Sequence, residues 1–123
     1  MNLHKLLSER AAAGRPVTVG LIGAGKFGTM FLAQLRRTIG MHLVGLADLD
    51  VGRAEAALRS CGWEDARFAA SSLGEAFKAG TTHVTDDADA VIGFPGVEVI
   101  VEATGDPKAG IRFCLKTIAA GKH

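Results

Sequence analysis

The residues with the clearest capacity for chemistry are three glycines, Gly23, Gly25 and Gly28, in the stretch VTVGLIGAGKFGTMFLAQL at positions 17–35. They follow an apolar run and open a segment with helical periodicity, in the spacing G-x-G-x-x-G. In that spacing the first glycine permits a tight turn, the second lets a pyrophosphate lie against bare backbone, and the third lets helix and strand pack closely. Backbone N–H groups and the positive end of the helix dipole then face the phosphates without any required cation. Ala24 and Phe27 fill intervening positions, and Lys26 stands where it can assist from the rim. Glycines also serve ordinary turns, so the spacing gains weight from its surroundings: the strand before it, the helix after it, and Asp48. Asp48 ends the next apolar run about twenty residues beyond Gly28, where an acid accepts hydrogen bonds from an adenosine ribose. Asp48 or Asp50 would also serve as an N-cap; the ribose is assigned to Asp48 and the cap to Asp50. The Asp48 carboxylate favours NAD because it repels a 2′-phosphate. Arg53 keeps NADP open if it leans over such a phosphate, although its plainer reading is a solvated arginine on a helix face.

A second informative stretch is VIVEATGDP, residues 99–107. It places Ala103, Thr104 and Gly105 at the carboxyl end of a strand, where open α/β sheets bind ligands, and their small size lets backbone approach a nicotinamide ring. Glu102, an acid in an apolar strand, must find a partner or shift its pKa upward; loop N–H groups are the expected partner, and a role beside the nicotinamide is the second reading. The four histidines show neither metal spacing nor a companion nucleophile. There is no Lys-Ser/Thr pair after the glycines of the kind nucleotide hydrolases use. No catalytic residue and no metal ligand is assigned. Trp63 and Phe68 read as cover over a core.

The elements that must position these residues follow from hydrophobic periodicity. Strands are expected at 17–22, 41–50, 82–85 and 97–105. Helices are expected from Phe27, with Phe27, Met30, Phe31 and Leu35 on the apolar face; around Ala54, Ala57, Leu58 and Cys61; from the capping box Ser72/Glu75 to Gly80; after Asp86 or Asp87; and from Asp106–Pro107 to Gly121. The apolar face of that last helix is read as Ile111, Cys114, Leu115, Ile118 and Ala119. Residues 1–15 form an amphipathic leader helix with Leu3, Leu6, Leu7 and Ala11 packed on the domain. Strands alternating with helices predict an α/β, Rossmann-type, doubly wound and mostly parallel sheet with helices on both faces.

A chain of 123 residues, 48% hydrophobic and 22% charged, suits one folded domain spanning 1–123. Its 14 Lys and Arg against 13 Asp and Glu leave a formal charge of +1, without the basic blocks that would suit nucleic acid or an anionic membrane. A small molecule is the expected partner, and a homo-oligomer is compatible. Lys5, Glu9 and Arg10 interrupt any signal-peptide core, so the default location is the cytoplasm. Cys61 and Cys114 read as buried, reduced thiols. The sequence stops at AAGKH, where a fifth strand should begin, and a catalytic, substrate-holding domain is expected beyond residue 123.

On VGLIGAGKFG, GLADLD, VEATG and AAGKH the chain resembles the N-terminal NAD(P)-binding domain of the homoserine dehydrogenase-like oxidoreductases. The leader MNLHKLLSERAAAG joined to GAGKFGTMFLAQ resembles the branch carrying a SAF-type domain, which includes 1-deoxy-D-xylulose 5-phosphate reductoisomerase-like enzymes. The resemblance implies a domain that presents NAD or NADP for hydride transfer, with Gly23, Gly25, Gly28, Asp48, Thr104 and Gly105 on the cofactor. In the reductoisomerase-like members it implies NADPH and a sugar phosphate. Two other classes share these features: a free-standing NAD(H)-sensing module, and a methyltransferase using S-adenosylmethionine, which the third glycine disfavours.

Overall fold

The computed structural model describes residues 1–123. In chain order the elements are α1 (Leu3–Ala12), β1 (Val17–Ile22), α2 (Lys26–Leu35), β2 (Met41–Ala47), α3 (Val51–Ser60), α4 (Leu73–Ala79), β3 (His83–Thr85), α5 (Ala88–Gly93), β4 (Val99–Glu102) and α6 (Pro107–Ala119). A short 3-10 turn at Asp65–Phe68 precedes α4. The four strands form one sheet in the order β3-β2-β1-β4, every pair parallel. Parallel neighbours need crossovers, and right-handed crossovers send helices to opposite faces when the direction of winding reverses. Here it reverses after β3, when the chain returns to the far side of β1. The expected Rossmann-type architecture is therefore present, with the reversal lying between β1 and β4.

Two cores result. Val19, Leu21, Leu43 and Leu46 meet Leu32 and Leu35 of α2 and Ala54, Ala57 and Leu58 of α3 on one face. Ile22 and Ala47 meet Val91 and Ile92 of α5 and Phe113 of α6 on the other. β2 carries one extra residue, Val44, where its register against β1 shifts, and Val44 packs with Ala76 and Val97. The close approach of α5, and of α4 at the second of them, explains two glycines inside the central strands. A Cβ on Gly20 would lie 2.6 Å from Val91 Cγ1, and one on Gly45 would lie 2.8 Å from Leu73 Cδ2 and 3.1 Å from Val91 Cγ2.

The helix starts follow the expected capping chemistry. Asp50, Ser72, Asp87 and Asp106 each accept a backbone N–H from the first turn of α3, α4, α5 and α6, which is worth about 1 kcal/mol apiece. Glu75 reaches back to Ser71 rather than to Ser72, so the capping box is displaced by one residue. Gly80 ends α4 in the left-handed conformation. Trp63 donates its indole N–H to Leu32 O at 3.1 Å and Phe68 is buried, so both cover the first core.

Three helix faces differ from expectation. In α6 the buried residues are Phe113 and Thr117, while Ile111, Cys114, Leu115 and Ile118 are exposed. In α2, Gly28, Leu32 and Leu35 are buried, while Phe27 and Met30 face outward. In α1 no residue is buried, and Leu3 and Leu6 are exposed. That helix docks through Leu7, whose carbonyl sits where a Gly40 side chain would be, and through Arg10, which pairs with Glu98 at 2.8 Å. The strands at 41–50 and 97–105 are shorter than expected because Asp48–Asp50 and Ala103–Gly105 turn away to begin the next helices. Beside β4, His123 donates its N–H to Glu98 O and accepts from Ile100 N–H, a parallel pairing of one residue. No helix is long and apolar enough to cross a membrane.

Candidate functional site

The three glycines occupy the turn between β1 and α2, and each has its own reason. Gly23 has φ +101, and a Cβ there would lie 2.6 Å from Ala103 O, so both conformation and the neighbouring strand end demand glycine. A Cβ on Gly28 would overlap the Gly23 carbonyl oxygen, which makes it the close-packing position. Gly25 differs: its backbone is extended, which any residue adopts, and a Cβ would meet nothing within 4 Å. Neither conformation nor packing explains this glycine, and the open space beside it is the space a ligand would need. The helix it precedes is also distinctive. The other five α-helices begin with a side-chain cap, at Asn2, Asp50, Ser72, Asp87 and Asp106, whereas α2 begins at Gly25 with none. Its first N–H groups therefore remain available to an anion.

Asp48 lies just past β2 with its side chain only 2% exposed. It accepts Ala24 N–H at 2.8 Å on Oδ2 and Asp50 N–H at 2.9 Å on Oδ1, and Arg53 donates to Oδ2 at 2.7 Å. It therefore latches the glycine turn to the end of the adjacent strand. Burial by itself would push the Asp48 carboxyl up, but Arg53 and the N–H groups of Asp50 and Ala24 outweigh it and hold it below the ordinary carboxylate range. Arg53 keeps the exposure of the plainer reading, its side chain 58% exposed, but adds an ion pair to Asp48 at the cleft. Asp50 caps α3 through Arg53 N–H, as assigned.

At the end of β4, Ala103 passes under Gly23, and its N–H bonds to Ile22 O at 2.7 Å. Glu102 accepts Thr104 N–H at 2.8 Å, the loop partner expected of it. The Thr104 hydroxyl accepts Asp106 N–H at 3.2 Å. Gly105 has φ +70 and open space where a Cβ would be. Lys26 and Phe27 stand on the exposed rim.

All eleven expected site residues thus gather at the carboxyl ends of the strands: Gly23, Ala24, Gly25, Lys26, Phe27 and Gly28 from one turn, Asp48 and Arg53 from the second, and Ala103, Thr104 and Gly105 from the third. A cleft of about 300 Å³ opens among Gly23, Asp48, Arg53 and Thr104. It lies at the reversal of the winding, where open α/β sheets hold ligands. A larger cleft, about 460 Å³, lies at the opposite, amino end beside Trp63 and Arg67, away from the bare turn. The carboxyl-end cleft also takes in Leu49, Arg112 and Phe113, which the sequence did not single out, and Asp86, which it offered only as a helix cap. The cap itself is Asp87. Arg112 had no signal in the sequence: its position over the Phe113 ring, 4.4 Å from the centroid, depends on where α6 crosses the sheet.

The fold and site together define a Rossmann-type α/β domain. Similar solved structures include a myo-inositol dehydrogenase from Lactobacillus casei in complex with NAD(H) and myo-inositol, with 23% identity and a TM-score of 0.62 over 87% of this chain and 26% of that one. An NAD binding oxidoreductase from Klebsiella pneumoniae is similar at 23% identity and a TM-score of 0.61, over 88% of this chain and 26% of that one. At these identities the likeness is one of fold, and the chain spans about a quarter of their length. No protein-family model matches the sequence, and no curated protein is significantly similar to it.

Proposed function

We propose that this chain is the NAD(P)-binding domain of an oxidoreductase. The observation that carries the reading is Gly25: a glycine without conformational or packing cause, at the start of an uncapped helix, two residues past Gly23, which lines the carboxyl-end cleft. The residues fit the group. N–H groups at the start of α2 bind the pyrophosphate, the Asp48 carboxylate faces the adenosine ribose, and Thr104 and Gly105 offer small side chains and backbone to the nicotinamide side. The nicotinamide, when bound, supplies the hydride. The myo-inositol dehydrogenase and the NAD binding oxidoreductase among the similar solved structures support this assignment.

The VEATG motif favours the homoserine dehydrogenase-like version of this reading. Its substrate is a small hydroxy or keto compound, or a sugar phosphate as in reductoisomerase-like enzymes, held by residues outside these 123. The chain alone then binds the dinucleotide and reduces nothing, because hydride transfer also needs a fixed substrate and a proton donor or acceptor. Calorimetric titration of the folded chain with NADH, NADPH and S-adenosylmethionine tests the assignment. Binding of a nicotinamide dinucleotide in preference to S-adenosylmethionine is expected. Absence of dinucleotide binding, or tighter S-adenosylmethionine binding, overturns it. Turnover of homoserine or 1-deoxy-D-xylulose 5-phosphate by the chain alone would refute the division of labour.

A further inference from the structure

At the amino ends of the strands, opposite the glycine turn, lies the cleft of about 460 Å³. Its cations stand out because no acid answers them. Arg10, Arg53, Arg59 and Arg112 each have a carboxylate partner. The other four arginines, Arg15, Arg36, Arg37 and Arg67, have none, and all belong to the amino end. Arg15 precedes β1, Arg36 and Arg37 follow α2 on the way to β2, and Arg67 shares the cleft with the first residues of β2. Arg36 and Arg67 line the cleft itself, where Glu64 is the one acid. Arg15 lines an adjoining cleft that shares Pro16, His42 and Gly80 with it.

Backbone structure places both lining guanidiniums. Arg36 lies over Gly62, which is held at φ +84, with its Cζ 3.3 Å from where a Cβ would stand. Arg67 leaves a turn pinned on two sides: its N–H donates to Glu64 O at 2.9 Å, and its carbonyl accepts Thr82 N–H at 2.8 Å. A positive charge at the end of α2 complements the helix dipole, which accounts for Arg36. It does not account for Arg67, which belongs to a 3-10 turn of 4 residues, nor for two unpaired guanidiniums lining one concave surface. There the two charges repel, and one anion relieves both. Trp63 forms a further wall, its ring fixed by the indole N–H on Leu32 O. Forked donors from two residues suit a group with several acceptor oxygens, a phosphate more than a single carboxylate.

We propose that the amino-end cleft is a second ligand site, which takes a phosphate group between Arg36 and Arg67, with any organic body against Trp63. The site lies at the opposite end of the sheet from the dinucleotide cleft and stands or falls independently of it. Trp63 is the only tryptophan and the chain has no tyrosine, so intrinsic fluorescence reports on this cleft. Inorganic phosphate and butyl phosphate are titrated into the full chain at constant ionic strength, with chloride as the balancing anion. Circular dichroism and thermal melts confirm that each variant is folded. A saturable change in Trp63 emission is expected. Arg36→Gln and Arg67→Gln should each weaken binding roughly ten- to hundredfold, the range for losing a charged hydrogen bond. Arg37→Gln removes an equal charge outside the cleft and should change affinity less than about twofold, because a distant exposed charge is screened. Tighter binding of butyl phosphate assigns the site to an organic phosphate; equal or weaker binding assigns it to the free ion. A response to both probes that never saturates in the folded wild-type chain overturns the site. Equal weakening by all three substitutions also overturns it, reducing the cleft to diffuse positive charge.

Discussion

Gly25→Ala and Gly28→Ala add the same methyl group three residues apart, yet the structure assigns them opposite consequences. At Gly25 the backbone is extended and the new Cβ meets nothing within 4 Å. Folded-state cost is therefore small, and the loss of unfolded-chain freedom should stabilise the protein by about 0.4–1 kcal/mol. At Gly28 the Cβ overlaps the Gly23 carbonyl oxygen and comes within 3.0 Å of its carbon. These atoms are backbone in a turn held by Gly23 N–H to Ala47 O at 2.7 Å, so they cannot rotate aside. Relief requires parting α2 from β1, and the cost is roughly 2–4 kcal/mol, at or above the upper end of core overpacking. For a domain of this size that lowers Tm by on the order of 10 °C. Ligand binding reverses the ranking of causes. On the proposed reading the Gly25 methyl would sit where the pyrophosphate approaches the first N–H groups of α2, and loss of one or two charge-assisted hydrogen bonds corresponds to roughly ten- to a thousandfold in Kd. Thermal melts with calorimetric titration of NADH and NADPH read both quantities on the same samples. A Gly25→Ala variant that melts as early as Gly28→Ala refutes the claim that Gly25 is free of packing. One that melts normally and binds with wild-type affinity refutes the claim that its space is the ligand's.

Three further outcomes are expected. Asp48→Asn should cost roughly 1.5–3 kcal/mol near neutral pH through its lost charge-assisted bonds to Arg53 and the turn. Because Asp48 is held below its ordinary value of 3.8, this contribution is fully present above that value and disappears as pH falls through the lowered one. Denaturation midpoints of wild type and variant should therefore converge as pH falls below 3.8, and a gap that stays constant on acidification would argue against the latch. Gly20→Ala should lose about 1–3 kcal/mol, since its methyl would lie 2.6 Å from Val91 Cγ1 and 2.9 Å from Ile100 Cδ1; an unshifted urea midpoint would mean that α5 is not seated on the central strands. With a thiol reagent, Cys114, exposed on α6, should react quickly, and Cys61, packed on the first core with its thiol on Thr29 O at 3.3 Å, about tenfold more slowly or less; equal rates would contradict that packing.

What the sequence by itself determined is what short stretches of chain carry. The G-x-G-x-x-G turn, the caps at Asp50, Ser72 and Asp106, the stop at Gly80 and the alternation of strand and helix all depend on residues a few positions apart, and each is found where the spacing puts it. The gathering of three strand ends also follows, because parallel strands joined by helices must present their carboxyl ends together. Tertiary structure decided the rest, for reasons of partner rather than pattern. α6 carries apolar residues on more than one side, and periodicity cannot say which stripe meets the sheet. The crossover from β4 sets Phe113 and Thr117 inward and leaves Ile111, Leu115 and Ile118 outside. Gly20 and Gly45 have no reason visible in the strand sequences; pairing of the strands brings both beneath Val91. Asp48 could be read as a ribose acceptor from its place after β2. Its hold on Ala24, 24 residues earlier, and its pairing with Arg53 depend on β1 lying beside β2 and on the rotation of α3, and both are set by packing across the whole domain.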